Sequence, residues 1–296
     1  MKESIEMGQA EAASRLAQAL RSGRRVITAE CVPVGARDAD AVRRLAAAFP
    51  PSLDALVVSG TGERSISAVV CSMLLVGQGL EPVLTVLTRD RNRIALLSDV
   101  LGAAALGVRN VLCLPGDHQS LGAQPEAAGA YDVDPVQLIQ LLNERQGDGH
   151  GSLFIGAEAY PHLRPLELSM IDVRKKVKAG ARFLLTRPVF DIASFEEWMS
   201  AVRQEGLHER VDIIAGVQPL TDREQAEALR RRLNVPDEVM TRLRESEDAR
   251  AEGIAICVET AAALKSADGV RGVHIMWGGT PEVAAQVIVR AGLAPA

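Results

Sequence analysis

The stretch "GVRNVLCLPGDHQS" (residues 107–120) carries the pattern that decides the fold. A mainly apolar run, residues 110–114, ends abruptly at "PGD", residues 115–117. Unbroken apolar runs of this length are typical of parallel strands that are covered on both faces. A carboxylate directly after such a strand either belongs to an ordinary turn or faces a ligand at the end of the sheet. The other segments of the chain bear on that choice.

Seven further runs share this character, and residues with helical spacing follow each of the eight. The runs are "RVITAECVP", "ALVVSG", "PVLTVLT", "NVLCLPG", "LFIGAEAY", "FLLTRPVF", "VDIIAGVQPL" and "GVHIMWGG". Eight strand–helix units predict an α/β fold of the (β/α)8 type, a TIM barrel, with an extra N-terminal helix. A doubly wound sheet is the alternative, but it gives no reason for eight units.

The domain organisation follows from the absence of any break in composition along the 296 residues. We therefore expect one TIM-barrel domain over residues 1–296, in which residues 1–22 form an N-terminal helical extension. A barrel of this type commonly has about this length. Several additional helical segments, residues 222–266, separate the seventh and eighth runs.

Composition narrows the class of partner. The net charge is −5 without any block of like charge, which argues against nucleic acid or an anionic membrane surface as a partner. The four cysteines are far apart and form no C-x-x-C pair, so buried reduced thiols are expected. No apolar run reaches membrane-spanning length, and the N-terminus has an amphipathic helix pattern rather than that of a signal peptide. These features together predict a soluble cytoplasmic protein.

Candidate site residues are those at the carboxyl ends of the strands, where TIM barrels place their active sites. Two carboxylates, Glu30 and Asp117, stand at two of these ends. One could donate a proton while the other stays ionised, if their surroundings separate their pKa values. Asp117 could instead cap a turn. Arg187, at the end of the sixth run, could pair with Asp191 or Glu30.

Other familiar sites are not predicted. The five histidines lack metal-ligand spacing, so no metal site is expected. "SGTGERS" (residues 59–65) lacks the third glycine of a dinucleotide-binding fingerprint, and the acid about twenty residues further on precedes the next strand instead of ending it. The run "RRR" (residues 230–232) is interpreted as a solvated helix face.

Seven segments, in order from about residue 26 to 278, resemble motifs of the methylenetetrahydrofolate reductase family. They are "AECVP", "LTRDRNR", "GVRNVLCLPGD", "AYP", "KKVKAGARFLLTRPVFD", "IIAGVQPL" and "GVRGVHIM". Members of that family are flavoprotein TIM barrels that reduce a folate-bound methylene group to methyl. One such motif would be a weak signal, whereas seven in order indicate the family.

The resemblance implies a role for each candidate residue. Glu30 matches the proton donor to the folate nitrogen, and Asp117 matches the acid beside the flavin and the pterin ring. Gly116 would let the backbone approach the cofactor, which is expected to be FAD, with FMN possible. The remaining expected flavin contacts are Ser59, Tyr131, Tyr160, Arg164 and Lys176, and the expected folate contacts are Arg187 and Gln225.

Three departures from the family pattern concern the same site. Arg187 replaces a glutamine that contacts the substrate, and it adds a permanent charge that could grip a folate carboxylate or serve a different electron donor. Val86 replaces a histidine, and Pro115 replaces an arginine near the flavin phosphate. The ending "HIMWGGTPE" resembles the branch of anaerobic and methyl-catabolic bacteria.

The resemblance therefore predicts a flavin-dependent reductase that uses a tetrahydrofolate substrate. Electrons would come from NAD(P)H or from a partner electron-transfer protein, and the chain would act as a homo-oligomer or as a subunit of a complex. The alternatives are a flavin-free pterin-binding methyltransferase and a non-catalytic subunit of a methyl-transfer complex, because fold does not fix function.

Overall fold

The computed structural model describes residues 14–33, 35–59, 66–121, 124–146, 152–276 and 280–294. In these ranges eight parallel strands pair in chain order, and β8 pairs with β1 to close the barrel. The strands are β1 (Val26–Cys31), β2 (Ala55–Val58), β3 (Pro82–Leu87), β4 (Asn110–Leu114), β5 (Phe154–Ala159), β6 (Phe183–Pro188), β7 (Asp212–Val217) and β8 (Val270–Ile275). The predicted TIM barrel is confirmed.

Helices connect the strands and cover the outside of the barrel. Within the described ranges they are α1 (Arg15–Arg21), α2 (Ala39–Ala47), α3 (Ala68–Val76), α4 (Arg93–Ala105), α5 (Pro135–Glu144), α6 (Leu166–Ala179), α7 (Ile192–Gln204), α8 (Arg223–Leu233), α9 (Asp237–Glu245), α10 (Ala249–Ser266) and α11 (Pro281–Arg290). Many begin where a polar side chain caps the first turn, as Asp38 does for α2 and Asn92 for α4. These capping signals are visible in the sequence.

Helix α1 packs its apolar residues Leu16 and Leu20 into a cluster at the amino-terminal end of the barrel. The first thirteen residues of the predicted extension lie outside the described ranges. A buried polar network anchors the start of α1, because Ser14 donates to the Asn110 side chain at 2.5 Å and Asn110 donates to Glu81 at 2.8 Å. The amino-terminal end of the barrel is therefore joined to α1 by both apolar packing and hydrogen bonds.

All four cysteines are buried and unpaired, as the sequence predicts. None of the described helices is both long enough and apolar enough to cross a membrane. The part of the chain that the structure describes also has no group of three or more potential metal-ligating side chains.

Candidate active site

A cavity of about 190 Å³ opens at the carboxyl ends of the strands. Its polar lining consists of Glu30, Asp117, Arg187, Gln218 and Arg232. Leu229 and Leu233 from α8 and Met276 after β8 supply apolar lining. The structure thus brings both predicted carboxylates and Arg187 into one cavity, where they can act on one ligand.

Glu30 is held by a neighbouring strand. The Ser59 hydroxyl, just after β2, donates a hydrogen bond to Glu30 Oε1 at 2.5 Å. Parallel register places Glu30 beside Val57, so Ser59 lies two residues further toward the same end of the barrel. Glu30 is half-buried and faces the cavity. Ser59 is therefore a positioning partner of the carboxylate, in addition to its predicted place near the cofactor.

Asp117 is surrounded by three guanidinium groups. Arg232 forms an ion pair with Asp117 Oδ2, Arg187 Nη2 lies 3.7 Å from Oδ1, and Arg89 donates to the backbone carbonyl of Asp117. Burial alone would raise the pKa of Asp117, but the hydrogen bond and charge of Arg232, with the charges of Arg187 and Arg89, outweigh it. The pKa of Asp117 consequently lies below its ordinary value, and the group stays ionised near neutral pH.

Gly116 and Arg89 meet at the end of β4. Gly116 has φ of +77°, a left-handed conformation that favours glycine, and an added Cβ would lie 3.4 Å from the Cβ of Arg89. Arg89 also pairs with Asp90 at 2.6 Å. The Arg89 guanidinium therefore places a cation at the end of β4.

Arg187 projects from an irregularity in β6. The register between β6 and β7 shifts between Leu185 and Pro188, and such a bulge redirects the side chains around it. Arg187 Nε lies 3.3 Å from Glu158 Oε1, so Arg187 links Glu158 to Asp117. The expected alternative pairing with Asp191 is wrong, because Asp191 instead caps α7 through Ser194.

Tyr160 and Lys176 both contact Glu158, the residue whose carboxylate pairs with Arg187. The Tyr160 hydroxyl donates to Glu158 Oε2 at 2.8 Å, and Lys176 Nζ donates to the Glu158 carbonyl at 2.7 Å. Lys176 also pairs with Asp172 at 2.5 Å and lies 5.0 Å from the centre of the Tyr160 ring. Lys176 is 3% exposed, so its contacts within the protein fix the ring of Tyr160 firmly.

Tyr131 lies in the loop after β4. It has φ of +44° and donates its hydroxyl hydrogen to Gln119 at 2.7 Å. Its ring is exposed, whereas the Gln119 amide nitrogen is buried without a hydrogen-bond partner in the described part of the chain. A buried donor without a partner is costly, so the Gln119 amide is a candidate donor for a polar ligand group.

Most of the predicted cofactor and folate contacts are not among the residues that line the cavity, and two of them make their contacts elsewhere. Arg164 pairs with Glu197 of α7 at 2.9 Å. The Gln225 side chain accepts hydrogen bonds from the Thr221 backbone at 2.8 Å and from the Thr221 hydroxyl at 3.2 Å, beside Asp222, which caps α8. Their proposed cofactor and folate contacts remain predictions.

The sequence interpretation missed two charged residues of the site, Glu158 and Arg232, whereas Arg89 lies in the third-strand ending "LTRDRNR" that it singled out. Glu158 lies within the apolar run of β5, as Glu30 does in β1, so the same signal was present. Arg232 is exposed, as the interpretation of residues 230–232 as a solvated helix face predicts, but it also pairs with Asp117. Trp277, at the predicted end of the eighth strand, lies outside the described ranges.

The model of the methylenetetrahydrofolate reductase family matches residues 15–292. The chain belongs to this family. Methylenetetrahydrofolate reductase 2 of Saccharomyces cerevisiae is 28% identical over 252 residues, which are 79% of this chain and 40% of the yeast protein. The 5,10-methylenetetrahydrofolate reductase of Pectobacterium carotovorum is 24% identical over 241 residues, 79% of this chain and 77% of that protein. The chain thus spans well under half of the yeast relative and most of the bacterial one.

A solved structure shares the fold of this family member over nearly its whole length. It is an uncharacterized protein from Clostridium thermocellum, with a TM-score of 0.66 and 14% sequence identity, covering 95% of this chain and 98% of that one. That protein binds two copies of 5-methyl-5,6,7,8-tetrahydrofolic acid. The similarity supports the barrel architecture independently of the family motifs.

Proposed function

We propose that this protein interconverts 5,10-methylenetetrahydrofolate and 5-methyltetrahydrofolate as a flavin-dependent reductase. The observation that carries the proposal is that two carboxylates, Glu30 and Asp117, line one cavity at the carboxyl ends of the strands. Neighbouring arginines lower the pKa of Asp117, and Glu30 accepts a hydrogen bond from the Ser59 hydroxyl. Two carboxyl groups at one cavity can divide the roles of proton donor and counter-charge in a single reaction. Family membership and the methylfolate ligand of the similar solved structure supply the substrate class.

Glu30 is the general acid in this proposal. In its protonated form it gives a proton to the folate nitrogen as the methylene bridge opens, and Ser59 keeps its carboxyl group oriented. The opened intermediate is a cation. Asp117 would stabilise that cation through its negative charge, because opposite charges attract one another at short range.

The residues around the end of β4 fit a flavin, which we expect to be FAD. The orphaned amide of Gln119, the left-handed backbone at Gly116 and the guanidinium of Arg89 provide a donor, a close backbone approach and a cation. Tyr131 and Tyr160 would add aromatic contacts, and Lys176 would hold Tyr160 in place. The chemistry that a flavin would supply here is hydride transfer to or from the one-carbon unit. We expect NAD(P)H or a partner protein as electron donor and an oligomeric or complexed state.

The test is an absorbance spectrum of the protein incubated with FAD or FMN, recorded before and after anaerobic addition of 5-methyltetrahydrofolate. The flavin bands should bleach, because the methyl group can return a hydride. Tetrahydrofolate is the matched control, since it has no one-carbon unit and should leave the bands unchanged. A colourless protein that takes up neither flavin would contradict the reductase proposal and favour methyl transfer or a subunit role.

A further inference from the structure

Arg232 reaches from α8 into the cavity and pairs with Asp117, the carboxylate that the proposed function places next to the substrate. It pairs with Asp117 Oδ2, while Arg187 lies 3.7 Å from Oδ1. Both oxygens of Asp117 thus face a guanidinium. A ligand that presents its own hydrogen-bond donors to Asp117 must displace at least one of these two arginines.

The two arginines differ in how firmly they are held. Arg187 also contacts Glu158, whose side chain is 11% exposed, so withdrawal of Arg187 would leave a buried carboxylate without its cation. The side chain of Arg232 is 46% exposed, and Asp117 is its partner in the described part of the chain. A partly solvated ion pair of this kind contributes little to stability. A ligand that binds Asp117 is therefore expected to displace Arg232 rather than Arg187.

Charge balance then indicates what the ligand must bring. Among the described residues, the cavity lining holds the Asp117 carboxylate, the Glu30 carboxyl group and two guanidiniums, Arg187 and Arg232. A ligand that takes Asp117 with neutral donors leaves Arg232 without an anion at the cavity mouth. A ligand that also carries a carboxylate restores that balance, and arginine binds carboxylates with two parallel hydrogen bonds.

We infer that Arg232 is a displaceable counterion that selects ligands carrying both a hydrogen-bond donor for Asp117 and a carboxylate for the released guanidinium. This inference rests on the proposed function for its ligand class, a reduced pterin with a carboxylate-bearing tail. A pterin head without the tail would displace Arg232 from Asp117 but would offer the released guanidinium no carboxylate. Arg232 is thus a specificity-determining residue that lies far along the chain from the strand that carries Asp117.

The experiment measures Kd by anaerobic titration calorimetry for two ligands: 5-methyltetrahydrofolate and 6-methyltetrahydropterin, which lacks the tail. Arg232→Gln should bind the pterin about threefold more tightly, because the competing ion pair is gone. It should bind the folate more weakly, because its tail loses a charged partner. The preference for folate over pterin should therefore fall about tenfold.

Arg230→Gln is the matched control, since Arg230 lies on the same helix but pairs with Asp237 and Glu227. It should leave the preference unchanged, and Arg232→Lys, which keeps the charge, should retain most of it. A preference unchanged in Arg232→Gln, or both ligands tightened equally, would overturn the inference while leaving the proposed function intact. A wild-type protein that binds neither ligand would overturn the proposed function and, with it, this inference.

Discussion

Glu30 is the residue on which the proposed chemistry depends most directly. Replacing it by glutamine keeps the shape and an acceptor for Ser59 but removes the ionisable proton. We expect Glu30→Gln to bind flavin normally and to lose folate turnover by about a hundredfold to ten-thousandfold, which is typical for loss of a general acid. The measurement is anaerobic stopped-flow reduction of the bound flavin by 5-methyltetrahydrofolate.

The control for that variant is Glu205→Gln, which removes a carboxylate that pairs with Arg174 on the outer surface. It should turn over folate at the wild-type rate. If Glu30→Gln also retained a rate close to that of the wild type, the assignment of Glu30 as the acid would have to be abandoned.

Individual site residues were predictable where they stand at the end of an apolar, strand-like run. Glu30 and Asp117 stand at strand ends, and both line the cavity as expected. Arg232 was not predictable, because its contact with Asp117 joins residues 115 positions apart and depends on how α8 lies across the cavity. Sequence periodicity describes one element at a time, and it carries no information about which surface arginine reaches across to another element.

At the scale of the element, the position of α8 depends on the connection from β7, residues 218–222. That connection is pressed against α10, because an added Cβ on Gly253 would lie 1.8 Å from the Leu220 carbonyl oxygen. Leu220 is fully buried and follows Gln218, which lines the cavity. Only glycine at position 253 allows this approach of helix to backbone, so α10 fixes the start of the segment that carries Arg232.

Gly253→Ala should therefore destabilise the protein by about 1–3 kcal/mol or more, the cost of overpacking a tight contact. Gly102→Ala in α4 is the matched control, since an added Cβ there meets nothing within 4 Å. It should raise the free energy of unfolding by up to about 1 kcal/mol, because alanine favours the helix. Urea unfolding followed by circular dichroism measures both, and changes of the same sign would contradict the packing argument.

The elements themselves were largely predictable. Continuous apolar runs marked all eight strands, and side-chain caps marked the helix starts. Strand ends were shorter than the runs, because proline and glycine in segments such as residues 115–116 stop the ladder of hydrogen bonds. The bulge in β6 that redirects Arg187 was not predictable, since it reflects pairing with β7 rather than any local sequence signal.

At the scale of the whole molecule, a buried histidine couples stability to pH. His274 lies in β8 and contacts the Thr28 hydroxyl at 2.9 Å, while its Nε2 is buried without a partner in the described ranges. Burial lowers the pKa of His274 from 6.5 to about 3, partly offset by a hydrogen bond with Thr28. Below pH 6.5 the unfolded chain therefore binds a proton that the folded barrel does not.

The sign of the effect follows from linkage: stability falls as pH falls from about 6.5 toward 3, by up to about 1.4 kcal/mol per pH unit for this group. We expect His274→Gln to show a shallower decrease in the free energy of unfolding between pH 6.5 and 4.5. The control His118→Gln changes a solvent-exposed side chain and should keep the wild-type slope. Equal slopes in all three proteins would exclude His274 as the source.

The four cysteines have a consequence for how the barrel can be observed. They lie in β1, α3, β4 and α10, and burial raises the pKa of Cys31 and Cys257 to about 12 and that of Cys71 to about 11. Burial also raises the pKa of Cys113. Because thiols react as thiolates, each buried cysteine does not react with a labelling reagent until its own helix or strand opens. The labelling rates of the four native cysteines therefore report separately on the local opening of four elements of the barrel, without any engineered probe.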